Sequence, residues 1–247
     1  MLRAAALRLE NQGVSELVAY RAGDLACEAY VARPAGSGPY PVVLIAPTVR
    51  GPSAFEHRKA DALAAEGYTA VVIDHYGRDK RDLGENAFAE MRELLADRGR
   101  LRRQLVDTLG FAESLDGVDS SRVAIVGYCF GGLCALDLAR TGTDDLRGAV
   151  SIHGIFARPE LGEQPPIKAK LLVLHGWGDP LAPPEDVLGL TRELTDAGAD
   201  WQLHAYGHTV HGFTNPESAV PGRVLYSEVA DRRANTALAS FLLETLA

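Results

Sequence analysis

Hydrophobic positions along the chain follow two rhythms. Five short runs, at residues 42–46, 69–73, 123–126, 148–152 and 171–174, are almost wholly apolar. Unbroken apolar runs of that length suit parallel strands covered on both faces, since neither face meets water. Between them lie stretches with helical apolar spacing or helix-forming composition, at 53–66, 85–115, 131–140, 185–197 and 226–245. Residues 14–20 and 25–31 flank Arg21-Ala-Gly-Asp24, which predicts two antiparallel strands around a Gly-Asp turn. A further strand is expected at 201–206. Strand then helix, repeated, predicts an α/β fold whose mostly parallel, doubly wound sheet carries an N-terminal antiparallel hairpin.

Composition narrows the setting. A chain of 247 residues fits a single α/β domain spanning 1–247, and it contains no internal repeat or low-complexity tract. The Pro/Gly clusters at 34–39 and 159–166 are turns and loops rather than boundaries. The charged stretch 78–103 is read as a solvated helical face. With 47% hydrophobic residues and no apolar run near the roughly 18 residues a bilayer requires, no membrane span is expected. Arginines interrupt the apolar residues of 1–10, so no secretory leader is expected and the cytoplasm is the default location. A net charge of −8 disfavours nucleic acid, which rewards basic faces. The three cysteines predict no disulfide framework, and Cys27 and Cys134 are read as packing residues. No organic cofactor is implied, and a monomer or small homo-oligomer is expected.

One cysteine stands apart. Gly127-Tyr128-Cys129-Phe130-Gly131-Gly132 directly follows the run 123–126, so Cys129 falls where a buried strand turns sharply into a helix. That spacing is a nucleophile elbow, in which the glycines let a strained turn hold the central side chain at the sheet edge. The helix start also offers unpaired N–H groups that favour a thiolate or an oxyanion. In open α/β sheets ligands gather at the carboxyl ends of strands. Asp179 follows the run 171–175 in Gly176-Trp-Gly-Asp-Pro180, and two histidines, His208 and His211, follow 201–206. Nucleophile, acid, histidine is the chain order of α/β-hydrolases. A histidine activates the thiol, and the carboxylate fixes the imidazole and stabilises its charged form. Either histidine reaches the sheet edge, with His211 preferred. A metal site from His204, His208 and His211 lacks supporting ligand spacing, and His57, His75, His153 and His175 are read as ordinary polar or core residues.

Through Gly127–Gly132, Gly178-Asp179-Pro180 and His211-Gly-Phe213, most of the chain resembles the dienelactone hydrolase family of the α/β-hydrolase superfamily. The resemblance implies Cys129, Asp179 and His211 as a triad and chooses His211 over His208. It implies that Ala46-Pro-Thr-Val-Arg-Gly51 is the oxyanion loop, with Val49 and Phe130 donating backbone N–H groups. It also implies a hydrolase of small esters or lactones working through a thioester. Two departures stand out. Thr48 occupies the place of a glutamate that interacts with the cysteine in dienelactone-cleaving members, and Asn215 falls near the place of their carboxylate-binding arginine. Arg50, Arg78 and Arg81 are candidate replacement cations, and Tyr76, Trp177 and Phe213 candidate pocket walls, alongside Thr48. The competing expectations are a non-catalytic ligand-binding protein of the same fold and an acyltransferase using the same triad.

Overall fold

The structure is a computed structural model that describes residues 13–81 and 83–247; the segment 1–10, read above as carrying no leader, lies outside the described residues. Strands β1 (Val14–Ala22) and β2 (Leu25–Arg33) pair antiparallel across a tight turn, where Gly23 takes φ +59°. Then follow β3 (Tyr40–Ala46), α1 (Ala54–Ala65), β4 (Thr69–Val72), α2 (Ala87–Ala96), α3 (Arg98–Glu113), β5 (Val118–Tyr128), α4 (Phe130–Ala139) and β6 (Gly148–Ile152). The chain continues through β7 (Lys170–Gly176), α5 (Pro184–Asp196), β8 (Trp201–Tyr206), a small ribbon of β9 (Ala219–Val220) and β10 (Val224–Leu225), and α6 (Glu228–Leu246). The large sheet has eight strands in the order β1-β2-β4-β3-β5-β6-β7-β8. From β4 to β8 every pairing is parallel, and β2 joins β4 antiparallel.

The apolar runs are unbroken because each sheet face has its own core. On one side Val42, Leu44, Val123, Ile125, Leu171 and Val173 pack with α3, α4 and α5. On the other, Val43, Ile45, Ala124, Val126, Leu172 and Leu174 pack with α1 and α6. Successive strand residues thus point into different cores, which leaves the runs apolar apart from the buried Thr69 and Ser151.

The structure corrects one helix. The stretch 85–115 is not a single helix but α2 and α3, preceded by a 3₁₀ turn at Gly84–Asn86. The break is chemical: Asp97 leaves helical geometry at φ −124°, and its side chain accepts the Arg100 N–H at 2.8 Å, capping α3. Strand β5 also begins earlier than the apolar run, at Val118, with a register shift against β3 between Pro41 and Val42. No helix among the described residues is long and apolar enough to cross a membrane.

Candidate active site

Three adjacent or next-adjacent strands, β5, β7 and β8, deliver the chemistry to one end of the sheet. Between β5 and α4, Cys129 has φ +58° and ψ −117°, a conformation that costs a non-glycine residue about 1–3 kcal/mol. The surroundings hold it there. Its N–H points at both the Ile152 carbonyl and Nδ1 of His153, each at 3.1 Å. The flanking glycines are required sterically, since a Cβ on Gly127 would lie 1.8 Å from the Gly131 carbonyl oxygen, and one on Gly131 would lie 2.0 Å from that of Ala46. Strand and helix meet too closely for any side chain at these positions.

After β7, Asp179 is buried and its Oδ1 accepts the Leu181 N–H at 2.8 Å. Its Oδ2 receives Nδ1 of His211 at 2.7 Å, which fixes the ring and turns Nε2 the other way. Nε2 is buried with no hydrogen-bond partner, and His211 and Cys129 line the same cavity. Burial opposes ionisation of the thiol, but the His211 imidazole and the N–H groups of Val49 and Phe130 outweigh it, holding Cys129 below the ordinary thiol range. Burial likewise opposes the charged imidazole, while Asp179 and Cys129 push His211 up to about 10. Both shifts run in the direction that favours the charged form of each group.

His153 packs edge-on to His211, ring centroids 5.1 Å apart. Burial holds it neutral. Accepting at Nδ1, it offers Nε2 to Thr214 Oγ1 at 2.9 Å, so it ties the elbow to the His211 loop. The loop from Pro47 to Ser53 closes the other side. The Gly51 N–H donates to the Thr48 carbonyl at 3.0 Å, and the Tyr76 hydroxyl to the Val49 carbonyl at 3.0 Å. Above Cys129 opens a cavity of about 840 Å³ bordered by Arg50, Phe88, Leu181, Asn215, Val220 and Arg223. Its wall is more apolar than polar, with two guanidinium groups at the rim.

A family model described as the dienelactone hydrolase family matches residues 27–246. The chain belongs to the dienelactone hydrolase family. As a member it is a carboxylic ester or lactone hydrolase. A carboxymethylenebutenolidase of Pseudomonas putida is 28% identical over 198 residues, 77% of this chain and 82% of that protein. An uncharacterised Caenorhabditis elegans protein is 32% identical over 157 residues, 60% of this chain and 96% of its own length. Among solved structures, a dienelactone hydrolase-like promiscuous phosphotriesterase from metagenomic libraries superposes with a TM-score of 0.90 at 30% identity, covering 96% of this chain and all of that one.

Within this dienelactone hydrolase fold the sequence candidates separate. Cys129, His211, Val49, Thr48 and Arg50 border one cavity, with Asp179 bonded behind His211. Tyr76 and Phe213 are buried, the first beneath the loop from Pro47 to Ser53 and the second against Tyr206 and His153. Trp177 and Arg78 are exposed and border other surface, and Arg81 is engaged with Asp74 and Glu28. His204 and His208 are exposed, and among the described residues no group of three or more His, Cys, Asp or Glu side chains is arranged to hold a metal ion. Sequence reasoning missed Glu56, His153, Phe88 and Arg223. Glu56 carried a signal in the Ser53-x-x-Glu56 spacing of a capping box. His153, read above as an ordinary polar or core residue, directly follows the apolar run 148–152 and so held the strand-end position that singled out Cys129, whereas Phe88 and Arg223 come from segments with no local pattern.

Proposed function

We propose that the chain, working as one domain, is a cysteine-nucleophile hydrolase of small carboxylic esters or lactones. The observation that carries this reading is the Asp179–His211 hydrogen bond at 2.7 Å beside a thiol held below its ordinary range at a strained strand-to-helix turn. The Cys129 thiolate attacks the carbonyl carbon, forming a C–S bond as the π electrons move to oxygen. The Val49 and Phe130 N–H groups receive that oxyanion; such donors are typically worth about 10²–10³ in rate each. Collapse breaks the C–O bond to the leaving alkoxide, which takes the proton from Nε2 of His211. A water then gives a proton to Nε2 and attacks the thioester, releasing the acid and restoring the thiolate. In a lactone the leaving alkoxide stays tethered to the acyl group. The three free thiols suit a reducing compartment, which favours the cytoplasm.

Intact-mass measurement after mixing with aryl esters and lactones tests this directly. The expected result is an acyl adduct on Cys129 and a turnover loss of about 10³-fold or more in Cys129→Ala. Undiminished turnover by Cys129→Ala, or none by the native protein on any ester or lactone, would sink the proposal. Adding an alcohol and analysing products separates hydrolysis from acyl transfer. The panel should include an aryl phosphotriester, given the description of the metagenomic relative.

A further inference from the structure

Glu56 is fully buried at the third position of α1. Its oxygens accept three hydrogen bonds, all from the loop that leads into the helix. The Thr48 N–H donates to Oε1 at 3.1 Å, the Ser53 N–H to Oε2 at 3.0 Å and the Ser53 hydroxyl to Oε2 at 2.5 Å. The two bonds from Ser53 are an ordinary capping box, which serves the helix alone. The bond from Thr48 is additional. It reaches back eight residues to the start of the oxyanion loop and joins that point to the helix.

Val49 lies between the two anchored ends. The N–H of Val49 belongs to the same planar peptide as the Thr48 carbonyl, so whatever fixes one fixes the direction of the other. That carbonyl accepts from Gly51, the Val49 carbonyl accepts from Tyr76, and the preceding N–H is held by Glu56. The peptide is therefore clamped on each side of the donor. We infer that Glu56 is a positioning residue for the oxyanion site, a buried carboxylate that keeps the Val49 N–H aimed at the reacting oxygen. It borders the cavity, but its oxygens already face three donors, which leaves it ill suited to act as a base. This role presupposes the cysteine-based reaction proposed above.

Glu56→Gln keeps the size of the side chain and turns one acceptor into a donor that faces N–H groups. On an aryl ester, kcat should fall about 10–100-fold, a fraction of what losing a whole oxyanion donor costs, with KM within about twofold. Alkylation of Cys129 by iodoacetamide builds no oxyanion, so its plateau rate at high pH should also stay within about twofold. Asp97→Ala strips the cap of α3 and reports what lost capping does to melting temperature without touching this loop. Should Glu56→Gln not fold, Tyr76→Phe releases the other side of the clamp and should lower kcat, at held KM, by a smaller factor. The role is overturned if a folded Glu56→Gln keeps kcat within about twofold, if KM absorbs the loss, or if alkylation falls as far as kcat. Those outcomes alongside an inactive Cys129→Ala reject the Glu56 role alone, whereas a fully active Cys129→Ala rejects the reaction and the role together.

Discussion

Cys129 and His211 shift each other in opposite directions, and the signs define where the site works. Burial alone would leave both neutral. The fold instead lowers the thiol, through His211 and the N–H groups of Val49 and Phe130, and raises the imidazole from 6.5 to about 10, through the Asp179 hydrogen bond first and Cys129 next. A raised histidine contributes stability that is complete below its unfolded value and is lost as pH climbs through about 10. A lowered thiol does the reverse: its contribution is present above the ordinary thiol value and is lost as pH falls through the depressed one. On the proposed mechanism the reactive pair therefore occupies the window between. The rate of Cys129 alkylation against pH should have its midpoint below the ordinary thiol value of about 8.5. In His211→Asn that midpoint should move up by at least about one unit, since the cationic partner is gone. An unmoved midpoint would mean that the thiol takes its acidity from the amides of Val49 and Phe130 rather than from His211.

At the scale of elements, the elbow works because β5, α4 and the loop after β3 approach to backbone contact. Gly131→Ala places a Cβ 2.0 Å from the Ala46 carbonyl oxygen and 2.7 Å from that of Pro47, and neither is the movable end of a side chain. Overpacking against backbone should cost about 3 kcal/mol and misplace the Phe130 N–H, so both stability and kcat fall. Gly110, inside α3 with open space around its Cβ position, is the contrast. Gly110→Ala should stabilise by roughly 0.5–1 kcal/mol with kcat unchanged. Urea unfolding of the two variants checks both signs, and a stable, active Gly131→Ala would refute the steric account. The same closeness explains what the sequence makes legible. Parallel strands announce themselves as apolar runs because both faces are covered, and Cys129, Asp179 and His211 stand at strand ends punctuated by glycine. Asp97 was opaque because helix-forming residues continue on both sides of it, and its capping role depends on a local departure from helical geometry. Trp177 and Phe213 sit two residues from Asp179 and His211 but face solvent and core respectively, because all four lie in the turns beyond β7 and β8, where strand alternation no longer sets side-chain direction.

Across the whole molecule, the face of the sheet behind the elbow is tied together by charge. Arg98 of α3 grips Asp137 of α4 through two bonds of 2.7 and 2.6 Å, and Arg140 of α4 grips Glu193 of α5 through two of 2.7 and 2.8 Å. Arg140 also reaches Asp137 at 3.1 Å, so three helices share one chain of ions, with Arg140 and Asp137 fully buried. Such a network is weak evidence for net stability, because taking these charges out of water offsets much of their attraction. Breaking it is another matter. Arg140→Met leaves Glu193 without its bidentate partner and Asp137 with Arg98 alone, and should destabilise by about 3–5 kcal/mol. For a chain of this size that is a drop of roughly 6–20 °C in melting temperature. Replacing Asp137, Arg140 and Glu193 together with apolar residues of similar volume, and Arg98 with Met, should recover most of the loss. None of these side chains borders the catalytic cavity, so kcat measured well below the melting transition should hold within about twofold in every variant. If Arg140→Met melts with the native protein, the network is incidental to the fold. If it melts normally but loses kcat, α4 transmits the change to Cys129 at its N-terminus.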